Sequence, residues 1–275
     1  QLTTTFVSAT RLTASVTAAM IASPGPVAVA VSLPGGIASN AVSFTVNLPP
    51  LPSMTLTGLP PSCSTAQQHQ PVISLAAPYA LPLSGEMTLT FQPAAGLPAA
   101  PDFTQNYRQV QFASGGAKAA FTLPAAGARI DLPMIQTGSV AGTITAAVSQ
   151  LACASTPVAP PSTTIQTIQV VESAPKITTL EIVRNSTGFD VRIIGDSSIR
   201  EVTEMSITFQ AGAGANLQTT SLTVPLNTIF AAYYTGAASS AYGSTYLLSV
   251  PFTIDGQQNA VTSATISLRN RIGSS

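Results

Sequence analysis

Apolar and polar residues alternate with a period of two along most of the chain. In Pro24–Val46, Val27, Val29 and Val31 alternate with Ala28, Ala30 and Ser32, Pro34-Gly35-Gly36 interrupts, and Val42, Phe44 and Val46 resume the pattern. Alternation on both sides of a Pro/Gly break predicts a β-hairpin with one apolar face. The same grammar runs to the C-terminus. The expected fold is therefore all-β, a string of small β-sandwiches.

Residues 1–47 predict strands near Thr3–Val7, Leu12–Val16, Val27–Ser32 and Ala41–Val46, with a helical turn at Thr17–Ile21. Four strands with one apolar face make half a sandwich. Val29, Val31, Val42 and Phe44 then meet water unless something covers them. Leu48-Pro49-Pro50-Leu51-Pro52 reads as a semi-rigid spacer, because proline fixes φ and favours an extended chain. A proline motif docking an aromatic groove is the alternative.

Residues 53–172 predict a second sandwich with strands at Met54–Thr57, Val72–Ala76, Glu86–Gln92, Tyr107–Ala113, Lys118–Leu123, Ile130–Ile135, Gly142–Ser149 and Thr164–Val171. Gly115-Gly116 suits a two-residue turn with positive φ at both positions. That register sets Val110 opposite Phe121 and Phe112 opposite Ala119, all inward, with Lys118 outward. A boundary at Glu172-Ser173-Ala174-Pro175 precedes a third sandwich over 176–271. There Ile177–Arg184 and Gly188–Ile194 flank a turn whose tip is Ser186-Thr187, placing Glu181 opposite Arg192 and putting Leu180, Ile182, Val191 and Ile193 on the buried face. Later strands are expected at Thr203–Gln210, Leu217–Val224, Thr245–Ile254 and Val261–Arg269, with a short helix over Asn227–Ala238.

Within residues 1–47, Ser8-Ala9-Thr10, Leu12-Thr13, Pro24-Gly25 and Pro34 to Val46 resemble the second half of an IPT/TIG immunoglobulin-like domain. That family's opening strands are missing and the chain begins at Gln1, so a fragment cut inside a domain is expected. The remainder resembles immunoglobulin-like modules that recur in large exported proteins of environmental bacteria. The resemblance rests on residues 74–91 (SLAAPYALPLSGEMTLTF), 136–145 (QTGSVAGTIT) and 186–226. It implies an all-β chain of tandem immunoglobulin-like β-sandwiches, the first one truncated, in an exported, cell-surface setting, and little about function.

Charged residues are only 7% of the chain, with ten basic and ten acidic side chains, against about 25% in ordinary soluble domains. No basic block exists to displace counterions from phosphates, so no nucleic-acid partner is expected. The mean hydropathy is +0.36, yet no apolar run of about 20 residues is free of breakers. A membrane barrel needs aromatic girdles. Aromatics are 6% here, with no Trp and 22 prolines, so no membrane insertion is expected. A polar but uncharged surface and two cysteines suit an extracellular or cell-surface protein.

Candidate chemistry is sparse. Gly195-Asp196-Ser197-Ser198 imitates an esterase nucleophile block, but serine hydrolysis needs a nearby base. His69, the only histidine, is expected in another domain. One His, two Cys and scattered carboxylates predict neither a zinc nor a calcium site, and no cofactor is expected. Arg200, Glu201 and Glu204 read as a solvated charge cluster on an edge strand. Asn185-Ser186-Thr187 fits a glycosylation sequon by coincidence. Tyr233, Tyr234, Tyr242 and Tyr246 form an aromatic patch that either stacks on sugar rings or is buried by the helix.

Cys63 and Cys153 are expected to form a disulfide, because six intervening strand passes return the chain to the same pole. If Ile130–Ile135 is not a strand, the count becomes odd and the cysteines go to opposite poles. Two buried thiols are then the alternative. The expected function is non-catalytic: a spacer or adhesion segment whose partners are neighbouring domains of the same protein, a polysaccharide or a surface protein. Accessory carbohydrate-binding modules of a secreted hydrolase are the alternative.

Overall fold

Period-two alternation produces strands through most of the chain, but it does not always produce cover. The computed structural model describes residues 1–99, 109–256 and 260–275. At the N-terminus β1 (Thr4–Ser8) pairs with β2 (Arg11–Ala14), a 3₁₀ turn spans Ala18–Ile21, and β3 (Gly25–Val29) pairs with β4 (Val42–Val46). These are two separate hairpins rather than one sheet. No side chain before Val46 is buried; Phe6 is 71% and Phe44 56% exposed. The expected apolar face is open to solvent. The proline spacer, by contrast, is docked: Leu48 and Leu51 pack on the central core, and the Pro49 carbonyl accepts a 2.8 Å bond from the Tyr79 hydroxyl.

The central sandwich takes its strands from β5 (Met54–Thr57), β6 (Ser62–Cys63), β7 (Gln68–His69), β8 (Val72–Leu75), β9 (Leu83–Pro93), β10 (Gln111–Phe112), β11 (Lys118–Leu123), β12 (Arg129–Asp131), β13 (Ile135–Gln136), β14 (Gly142–Cys153), β15 (Thr156–Pro157) and β16 (Ile165–Val170). One face is the sheet β11-β9-β14-β16-β6, with β15 on the end of β14; the other is β12-β8-β5 beside β10-β13-β7. Leu83, Met87, Leu89, Ile144, Ile168, Met54, Ile73, Phe112 and Ile135 meet between them in one buried cluster. A bulge between Val148 and Gln150 sets the parity of β14. Even positions from Gly142 to Val148 point inward before it, and Leu151 and Cys153 after it.

Three expectations change here. The Gly115-Gly116 turn forms, with φ of +93° and +74°, and Val110, Phe112, Ala119 and Phe121 are all buried with Lys118 outward. Its arms nevertheless separate: β11 pairs with β9 and β10 with β13, so the turn crosses between facing sheets. The start of the expected strand, Tyr107 and Arg108, lies outside the described residues. Ile130–Ile135 is not one strand either, since Pro133 divides it into β12 and β13 in different ladders.

The third change concerns the cysteines, which are free thiols. Cys63 is in register with Val170, and Val170 with Gly142 at the start of β14, whereas Cys153 closes that strand beside Leu83. The two sulfurs are thus separated by the length of the 12-residue β14, roughly 35 Å at about 3.3 Å per residue. A disulfide tolerates no more than about 7 Å between Cα atoms. Burial pushes the Cys63 thiol up, partly offset by a hydrogen bond with Thr137.

The C-terminal sandwich is built from β17 (Lys176–Arg184), β18 (Gly188–Asp196), β19 (Glu204–Ala211), β20 (Ser221–Pro225), helix α1 (Asn227–Thr235), β21 (Thr245–Thr253) and β22 (Val261–Arg269). Sheet β17-β18-β21 faces β20-β19-β22. The β17–β18 hairpin has the expected register: Glu181 lies opposite Arg192, and Val191 and Ile193 are fully buried. Arg192 turns to Asp190 at 3.7 Å rather than to Glu181. Leu180 and Ile182 share the inward face but remain 40% and 41% exposed, because β17 is the outermost strand and the facing sheet leaves it uncovered.

Candidate functional site

The two sandwiches meet at a polar joint, and its centre is the side chain that sequence reasoning placed in solvent. Ile199 and Val202 drive the segment after β18 into the interior, and Arg200 goes with them, 0% exposed, at φ +54°. An L-residue holds that left-handed backbone only when its surroundings fix it. Arg200 Nε donates to the Pro98 carbonyl of the central sandwich at 2.8 Å. Nη1 donates to the Gly243 carbonyl, and Nη2 to the Tyr234 carbonyl at 2.5 Å and to Ser239 Oγ at 2.9 Å. The guanidinium carbon also lies 4.8 Å from the Tyr234 ring centroid. A planar fork that points in several directions at once is what only arginine supplies.

Around it the joint is almost entirely hydroxyl and backbone chemistry. Ser244 N donates to Ser139 Oγ at 3.1 Å and Ser244 Oγ to the Ser139 carbonyl at 2.7 Å. Ala141 N donates to the Ser198 carbonyl at 2.8 Å, and Lys176 Nζ to Thr65 Oγ1 at 3.4 Å. The connecting segment is held as well: Ser173 N donates to Ser198 Oγ at 2.8 Å, and the buried Asn270 Nδ2 donates to the Ser173 carbonyl at 2.9 Å. Arg271 closes the outside, 3.0 Å from Glu172 and 3.4 Å from Glu201.

The other singled-out residues do not assemble into chemistry. Ser197 and Ser198 are fully buried, Ser197 Oγ donating to the Glu201 carbonyl at 2.6 Å. His69 lies on β7 of the central sandwich. Among the described residues no group of three His, Cys, Asp or Glu side chains could hold a metal. Among those residues no helix is long and apolar enough to cross a membrane. The tyrosines form no stacking platform: Tyr234 and Tyr246 are buried, and Tyr233 is half-buried with its hydroxyl on the Thr245 carbonyl at 2.9 Å. Only Tyr242, 58% exposed, faces solvent. Helix α1 caps the C-terminal core as a plug, with Phe230 edge-on to Tyr246 at 4.7 Å. Burial pushes the Tyr234 and Tyr246 hydroxyls well above the ordinary range, so both stay neutral.

Beside this plug, Asp196 is a point of stored cost. Gly195 pairs with Tyr246, and a Cβ there would lie 2.7 Å from the tyrosine hydroxyl. Among the described residues, neither Asp196 Oδ2 nor the Tyr246 hydroxyl has a hydrogen-bond partner. Burial raises the Asp196 carboxyl, and Lys176 offsets only part of that. A carboxyl raised in the fold stabilises below its unfolded value and loses that contribution as pH rises through the folded value. Asp196→Asn is therefore expected to raise the melting temperature near neutral pH, with the gain vanishing in acid. Melting curves across pH check this, and a lower melting temperature at neutral pH counts against it.

The sequence matches no protein-family model and no curated protein. Solved structures similar to the chain include the FN1–FN3 domains of chicken CNTN1, at 10% identity over 89% of this chain and 72% of that one, with a TM-score of 0.21. The type II cohesin dyad from the adaptor ScaA scaffoldin of Acetivibrio cellulolyticus is 9% identical over 58% of this chain and 62% of its own, at 0.24. Salmonella alpha-2-macroglobulin reacted with methylamine is 11% identical over 93% and 18%, at 0.27. At these scores the likenesses carry no argument about relationship or role.

Proposed function

We propose that the chain is a non-catalytic structural segment of a large exported or cell-surface protein, serving as a spacer or in adhesion. Its domains are 1–47, 53–172 and 176–271, and its partners are neighbouring domains of the same protein. The observation that carries this is Arg200: a fully buried cation whose donors reach the Pro98 carbonyl of one sandwich and the Gly243 and Tyr234 carbonyls of the other. Burying a charge at a joint is costly unless every donor is met. A joint built this way favours one fixed angle and resists bending, as a spacer requires. Nitrogen-15 relaxation of the full chain tests the reading. One common rotational diffusion tensor for 53–172 and 176–271 is expected, and separate tensors would overturn it.

A further inference from the structure

The outer face of the large sheet in the central sandwich carries a groove of about 540 Å³. It lies where β14 changes parity: Val148 is buried, and the bulge leaves Ser149 and Gln150 both turned to solvent. Bulges re-aim side chains in this way and are over-represented beside functional sites. Past the bulge two cross-strand rows run over the face, Ala120–Glu86–Gln150 and Thr122–Ser84–Ala152–Pro157. The small side chains of Ala120, Ser84 and Ala152 form the floor. One wall is apolar. Ala154 and Ser155 reverse the chain at φ +45° and +69°, and Pro157, Val158 and Pro160 return alongside, with the Val158 N–H on the Leu151 carbonyl at 2.9 Å. The other side is polar. Lys118 Nζ donates to Glu86 Oε1 at 2.9 Å, and Ser149 Oγ donates to the same oxygen at 3.4 Å. Among the described residues nothing bonds Glu86 Oε2 or the side chains of Gln150 and Ser84.

We infer that this groove binds an uncharged saccharide, a short stretch of polysaccharide laid across the strands. Lys118 neutralises Glu86, so the site draws neither cations nor anions and selects by hydrogen-bond pattern. A carboxylate oxygen only accepts, whereas the Gln150 amide and the Ser84 hydroxyl both donate and accept. Neighbouring hydroxyls on a sugar ring donate to the first and match the other two, while the C–H face of the ring lies on the prolines and Val158. A peptide strand fits poorly. Peptides add to free backbone edges, and the backbone groups of Glu86, Ser84 and Ala152 are already paired in the ladders beneath the groove. From β11 to β15 the rows cross three strand spacings, roughly 14 Å at about 4.8 Å each. The inference gives the adhesion reading of the proposed function its site and rests on that reading for its use. It does not involve the stiff joint.

Titration of the full chain with cellohexaose, laminarihexaose and mannohexaose in turn, followed by amide chemical shifts, tests this. At least one sugar is expected to give saturable shifts centred on Ser84, Glu86, Gln150 and Ala152. Glu86→Ala and Gln150→Ala are each expected to weaken binding about tenfold. Ala152→Leu fills the floor without adding an aromatic ring, and loss of saturable binding with an unchanged melting temperature is expected. Raising the salt from about 0.1 M to about 1 M is expected to change the affinity less than about twofold, because the ligand carries no charge. The joint is read from tumbling without sugar, so a failure there and a failure here are told apart. No saturable shift with any of the three sugars, shifts centred elsewhere, or an Ala152→Leu chain that binds like the wild type would overturn the inference.

Discussion

Replacing Arg200 by alanine is expected to lower stability by about 3–5 kcal/mol and to split one unfolding transition into two. The carbonyls of Pro98, Gly243 and Tyr234 and the Ser239 hydroxyl would lose their donor together. A buried polar group left without a partner costs about 1–3 kcal/mol, with some relief where water enters the vacated space. Arg200→Lys is expected to recover little, because one ammonium cannot span the Pro98 and Tyr234 directions. Arg200→Gly isolates the backbone contribution: at φ +54° glycine escapes a penalty of roughly 1–2 kcal/mol, so it should be less damaging than alanine by about that amount. Calorimetry checks all three. A single transition shifted by under about 1 kcal/mol in the alanine variant would mean that the sandwiches hold together without the clamp.

The second large effect lies at the other end of the chain. In dilute solution, amides of β1 to β4 are expected to exchange about 10³-fold faster than those of β9 and β14, or faster still. No side chain in residues 1–45 is buried, while Leu83, Ile144 and Ala146 are 0% exposed. A two-stranded hairpin without a packed face is marginal in water. Hydrogen exchange read by mass spectrometry resolves the two regions directly. Equal protection in a dilute, single chain would require a cover for Val29 and Phe44 that the structure does not contain.

Local pattern was legible wherever one strand face decides the fold. Lys118–Leu123 alternates strictly between exposed and buried, as its sequence does, and Asn185 to Gly188 fixes the β17–β18 register from four residues. What depended on distant partners was not legible. The Gly115-Gly116 turn was visible, yet whether its arms pair is settled by β9 and β13, which outcompete the local hairpin for β11 and β10. The cysteine pole turned on whether Pro133 interrupts a strand. Arg200 was hardest, because its burial depends on Pro98, about a hundred residues away in sequence. Its one local signal is that Ile199 and Val202 bracket it with apolar residues, which a solvated cluster does not need.

The order of strands in the large sheet also governs when the chain can fold. β16 sits between β14 and β6, pairing antiparallel with the first and parallel with the second. The edge of β14, the longest strand among the described residues, therefore stays bare until residue 170 has left the ribosome, and β6 waits more than a hundred residues for β16. Contacts this far apart in sequence form slowly. During that wait Ile144 and Ala146 lie along an unpaired edge open to other nascent chains. Synthesis of this segment is thus most vulnerable to aggregation in the interval between β14 and β16, and a translational pause placed there would lengthen the exposure.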